Sequence, residues 1–190
     1  MKDDNRNIEA AAQDRWLMRY YAMRAAFSLA WVAAAFAIAP RSAAISTVLL
    51  VIYPAWDAIA NFLDASRSGG LSRNKTQAIN FAVSLVATAA VVIALQFDMH
   101  GVLAVYGAWA ILAGLLQFGT AIGRRKQHGA QWAMILSGAQ SALAGGFFVY
   151  QATLPPVPSI ANVAGYAAVG AIYFLISAVR MAIIQRRQIH

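Results

Sequence analysis

Apolar runs of membrane-crossing length, broken by short polar stretches, set the pattern of this chain. A spanning helix needs about 20 mostly apolar residues. Six stretches reach or approach that length: 20–39, 43–66, 76–97, 101–123, 130–152 and 159–184. Breakers lie between them: Pro40-Arg41, SRSGGLSRNK at 66–75, Asp98-Met99-His100-Gly101, GRRKQHG at 123–129, and LPPVPS at 154–159. The runs are long and lack a period-2 alternation, which predicts helices rather than strands. Short connections predict antiparallel neighbours. The expected fold is therefore all-α: a polytopic membrane bundle of six transmembrane helices. The expected division is an N-terminal segment 1–19, forming a surface helix or frayed tail with Trp16 and Tyr20 near the interface, a membrane domain 20–187, and a short tail 188–190.

Composition supports this reading. Of 190 residues, 61% are hydrophobic and only 12% charged, against about 25% charged in soluble domains. A bilayer is the natural solvent for such a chain. Cysteine is absent, which excludes disulfides, thiolate chemistry and Cys-ligated metal centres.

The net charge of +8 is a topology signal. Lys2, Arg6, Arg15, Arg19 and Arg24 precede the first helix or lie in its first turns. Arg67, Arg73 and Lys75 follow the second, Arg124, Arg125 and Lys126 follow the fourth, and Arg180, Arg186 and Arg187 end the sixth. In a six-span chain these fall on one side, with Arg41 alone on the other. The positive-inside rule then places both termini in the cytoplasm, and the expected location is a bacterial cytoplasmic membrane. The lipid bilayer is the expected partner and nucleic acid is not. Ala37-Ile38-Ala39 has the look of a signal-peptide cleavage site, but Pro40 and the long polar lead favour a retained helix. The acceptor motif Asn74-Lys75-Thr76 would be cytoplasmic and unmodified.

The even helices share a pattern. Tyr53 opens YPAWDAIANFL, Tyr106 opens YGAWAILAGLL and Tyr166 opens YAAVGAIYFLI, and each helix closes on arginine. This predicts three tandem helical hairpins, parallel about an axis along the membrane normal. Tandem hairpins with small residues and terminal arginines resemble the bacterial DUF308 family, whose named member is the acid-resistance membrane protein HdeD. The matching rhythm is strongest in YGAWAILAGLLQFGTAIGRRKQHGAQWAMILSGAQSALAGGFFVYQA, residues 106–152. The first hairpin departs from it, with Asp57 and Asn61 where small or apolar residues are expected. The resemblance implies an inner-membrane protein of about six helices, linked to acid stress in one member. It implies no catalytic residues and no cofactor.

Asp57, Asn61 and Asp64 share one face of the second helix. At a rise of about 1.5 Å per residue, Asp57 lies roughly 13 Å from the basic end, near mid-membrane. A carboxylate there costs about 2.5–3.5 kcal/mol, so it should face the bundle, where desolvation favours its neutral form. Two readings are open: a proton-sensitive site, or a hydrogen-bond cluster joining the second helix to the third through Gln77, Asn80 or Ser84. Asp64 is expected to be an interfacial acid beside Arg67. Gln96 should sit at the outer interface, and Gln117 and Gln140 should bond between helices. Small-residue spacings (Gly119/Gly123, Ala110/Gly114, Gly138/Ala142/Gly146, Ser141/Gly145) allow close helix approach, within one chain or between copies in a homo-oligomer. His100, His128 and His190 lie in loops or at the end, so no haem or other metal site is expected. His100, beside Asp98, could also titrate with external pH. HExxH, GxSxG and P-loop motifs are absent, and a membrane enzyme lacks a set of parts. The expected function is a non-enzymatic HdeD-like membrane protein in stress or acid tolerance. The alternative is a small transporter or channel component with Asp57 as its protonatable group.

Overall fold

The computed structural model describes residues 2–126 and 131–187. Among them are six helices and no strand: α1 (Lys2–Ala37), α2 (Ala43–Arg67), α3 (Lys75–Ala94), α4 (Met99–Arg124), α5 (Gln131–Gln151) and α6 (Ile160–Arg187). All six contain a stretch long and apolar enough to cross a membrane. The predicted breakers end them. Pro40 sits in a short 3-10 turn, and Gly69 and Gly70 take left-handed φ values of 95° and 88° in the α2–α3 turn, where a Cβ would be strained. Asp98 caps α4 by accepting from the Gly101 amide at 2.7 Å. That cap also explains why α3 stops at Ala94: Leu95–Phe97 must turn to deliver Asp98. α1 is longer than its apolar run because no glycine or proline interrupts residues 2–37. It carries the polar N-terminal segment in one continuous helix.

The surface is apolar and much of the interior is polar. Phe97 is 80%, Leu143 77% and Val86 69% exposed, while Asp57, Asn61, Asp64, Gln77, Asn80 and Ser84 are buried. This inversion, with the six apolar helices, is that of a multi-pass helical membrane bundle.

The helices associate most closely as α4 with α5, α1 with α6, and α2 with α3. Four glycines weld α4 to α5. A Cβ added at Gly107 would stand 2.8 Å from the Gly145 carbonyl oxygen, and one at Gly114 would stand 2.8 Å from that of Gly138. The backbones touch directly, where Cα–H···O contacts are available. Gly138, Gly145, Ser141, Gly114 and the fully buried Ala110 thus serve helix packing within the chain. Gly119, Gly123 and Gly146 do not: an added Cβ at any of them meets nothing within 4 Å.

Pro54 stands inside α2. Lacking an N–H, it leaves the Leu50 carbonyl without its helical donor. The phenol of Tyr106, 0% exposed, donates to that carbonyl at 2.6 Å. Tyr106→Phe would bury the carbonyl unpaired, so we expect a loss of about 1–3 kcal/mol, measurable as a lower unfolding midpoint in detergent.

The two ends of the bundle differ. At the end holding Pro40 and Arg41, a hollow is lined by Ala39, Leu95, Met99 and Pro158. His100 lies there in the first turn of α4 rather than in a loop, its ring nitrogen 3.1 Å from the Leu154 carbonyl oxygen; it ties two connections together. At the other end Arg67 lies over the Trp16 ring and Arg180 over the Trp132 ring. His128 and His190 lie outside the described residues.

Candidate functional site: a charged column inside the bundle

All six helices contribute to one polar interior. Its centre is Asp57 on α2, 6% exposed. Oδ1 accepts from the Arg24 guanidinium of α1. Oδ2 accepts from Ser84 of α3 at 2.8 Å and from Asn61 at 2.9 Å. Ser84 in turn accepts from the Trp109 indole of α4 at 3.0 Å. The Asn61 oxygen accepts from the Asn80 amide at 3.1 Å. Arg24 also donates to the Tyr20 hydroxyl at 3.0 Å and lies 4.4 Å from the Phe174 ring centroid of α6, a cation–π distance.

A second ion pair lies about two helical turns nearer the basic end. Asp64 Oδ2 accepts from Arg124 at 2.8 Å and from Gln77 at 3.1 Å. Asp64 Oδ1 and Asn80 Oδ1 are buried with no hydrogen-bond partner.

Three spaces that share walls lie along this interior. A cleft of about 450 Å3 opens at the basic end, lined by residues that include Ser68, Asn74, Gly119 and Gly123. Gln77, Thr120 and Arg124 border both the cleft and a first chamber of about 40 Å3. Arg24, Asn80, Gln117 and Phe174 border both that chamber and a second of about 40 Å3 beside Asp57. Since about 10–15 Å3 suffices for one water, each chamber has room for a few. Beyond the second chamber the column stops at an aromatic layer. Tyr53 and Trp109 floor the chamber, Trp31 packs on Tyr53 at 4.6 Å, and Tyr106 packs on Trp109 at 5.7 Å. Leu50, Val91, Leu103 and Val163 fill the space behind them.

Of the predicted site residues, Asp57, Asn61 and Asn80 meet in one hydrogen-bonded network, Asp64 forms a separate cluster with Gln77 and Arg124, and Gln77 and Ser84 join α3 to α2. Three expectations change. Arg24 is not a rim cation; its position four residues after Tyr20, and as far from the Pro40 turn as Asp57, places it opposite that acid. Asp64 pairs with Arg124, not with Arg67, because Arg67 points outward onto Trp16. Gly119 and Gly123 are a cleft wall rather than a packing motif. Gln117 bonds between helices, to the Met134 carbonyl at 3.4 Å. Gln140 lines the second chamber, and Gln96 is exposed, bonded to its own helix.

The class defined by fold and site is a multi-pass helical membrane protein with a doubly ion-paired interior. No family model, curated protein or solved structure matches the chain.

Proposed function

We propose that this is a non-enzymatic protein of a bacterial cytoplasmic membrane, with both termini in the cytoplasm, whose charged column is a one-sided vestibule for small polar solutes or protons. The orientation follows from the arginine-rich end. Tandem hairpins of the HdeD-like kind are supported by the close consecutive pairs α2–α3 and α4–α5, while α6 packs on α1; the tyrosines of the repeat, Tyr53, Tyr106 and Tyr166, make different contacts, with Ser28, the Leu50 carbonyl and Ser141. At the position four residues on, the three helices carry Asp57, a buried methyl in Ala110, and open space at Gly170. The acid of one hairpin and the space left by another create the inner chamber. A role in stress or acid tolerance follows from the family resemblance alone.

The observation that carries the proposal is the alignment of cleft, first chamber and second chamber through shared walls, ending on Arg24–Asp57. Gluing helices together needs no such arrangement: neutral polar pairs do it for about 0.6 kcal/mol each, and buried ion pairs are poor sources of stability. The same alignment favours a small transporter or channel component, with Asp57 as its protonatable group, over a purely structural bundle.

The chain lacks cysteine, so single cysteines report access cleanly. We expect Gln117→Cys to react with a small membrane-impermeant thiol reagent applied from the cytoplasmic face, and not from the opposite face. Val163→Cys, behind the aromatic layer, should resist reagent from the cytoplasmic face. An unreactive Gln117→Cys, or one labelled from the opposite face, contradicts the proposal.

A further inference from the structure

We propose that the first chamber binds a small hydrogen-bond-donating cation, of the ammonium or methylammonium class, between Asp64 and Asn80 and in competition with the Arg124 guanidinium. This rests on the reading of the interior as a solute vestibule and names what it takes.

The chamber is short of donors. Asp64 and Asn80 both line it, both residues are more than nine-tenths buried, and Oδ1 of each has no partner in the protein. Buried acceptors without donors are uncommon and costly. An anion cannot satisfy them, and one of the two belongs to a carboxylate that would repel it. A cation bearing N–H groups satisfies both. The walls also include the Tyr20, Tyr21 and Phe174 rings, whose faces attract cations. The protein already uses one of them this way, with the Arg24 guanidinium 4.4 Å from the Phe174 centroid. A chamber of about 40 Å3 suits an ion close to water in size.

Charge balance names the competitor. Asp57 is matched by Arg24 and Asp64 by Arg124. An added cation keeps the interior neutral only by displacing one arginine. Arg124 is the one free to leave. It stands in the last turn of α4, its side chain is 16% exposed, and it borders the open cleft as well as the chamber. A long basic side chain can withdraw its head into the cleft while its stem stays packed. Asp64 would then exchange a tethered guanidinium for a free ammonium.

The test is thermal unfolding of the full-length purified protein across a titration of methylammonium chloride. Tetramethylammonium chloride and potassium chloride serve as controls at equal ionic strength. The first control has no N–H and the second is a bare ion. We expect a saturable rise in the unfolding midpoint with methylammonium only. Arg124→Gln should start less stable and respond at lower concentration, by roughly tenfold where the tethered cation holds the site nine-tenths of the time. Asn80→Ala, a neutral change, should respond only at higher concentration, and Asp64→Asn should not respond. Equal shifts with all three salts overturn the proposal, as does an undiminished response in Asp64→Asn or no saturable response in the wild-type protein. Should Gln117→Cys still label from the cytoplasmic face while methylammonium has no effect, the vestibule stands and the cation site falls.

Discussion

Asp57→Ala will strip the protein of about 3–5 kcal/mol of stability, the usual consequence of removing one member of a buried ion pair. The cause is what remains. Arg24 stays in the interior beside Tyr20 and Phe174, with no carboxylate to neutralise it. Ser84 and Asn61 each lose an acceptor. Arg24→Ala should do comparable damage from the other side. Chemical unfolding in mixed micelles measures both. Asp57→Asn should cost less than Asp57→Ala, since it keeps an oxygen for Ser84 while losing the charge.

The second large effect is steric. Gly138→Leu should prevent α4 and α5 from docking and exceed the ~1–3 kcal/mol typical of overpacking. Even a Cβ at Gly138 would sit 2.6 Å from the Phe118 amide nitrogen and 2.7 Å from the Gly114 carbonyl oxygen. These are backbone atoms of a facing helix, so no side chain can rotate aside. Gly146→Ala, beside the seam glycine Gly145 but facing open space, should leave the unfolding midpoint almost unchanged. Equal tolerance at both positions would show that the α4–α5 seam is misplaced.

Much of this architecture is legible in the sequence because a bilayer imposes length and polarity so strictly. Apart from the start of α1, which lies well before its apolar run, the helix limits follow closely from the apolar runs and from Pro40, Gly69, Gly70 and Asp98. The network around Asp57 follows from spacing: residues 57, 61 and 64 must share a face, and Gln77, Asn80 and Ser84 on α3 form the matching stripe. What escapes is the identity of the counter-ions. Arg24 counts toward the basic rim in a charge tally, yet it already lies inside the first apolar run, where a lone cation is expensive. Pairing charges by depth from the Pro40 turn finds Asp57. Arg124 hides differently, since it ends α4 like any rim arginine and only its long side chain reaches Asp64. Small-residue motifs mislead for another reason. Spacing alone does not say which helix face a glycine occupies, so Gly119 and Gly123 look like Gly107, Gly114, Gly138 and Gly145 on paper but open onto a cleft. The chambers themselves are invisible in sequence, because they are spaces left between side chains of all six helices.

The central claim is that Arg24 and Asp57 hold each other inside the membrane. The direct measurement is the coupling energy from unfolding of Arg24→Leu, Asp57→Leu and the double variant. The account predicts a coupling in the upper part of the ~0.5–3 kcal/mol range seen for contacting residues, with the double variant recovering much of what each single one loses. Additive losses would contradict it, for they would mean that the two charges never meet.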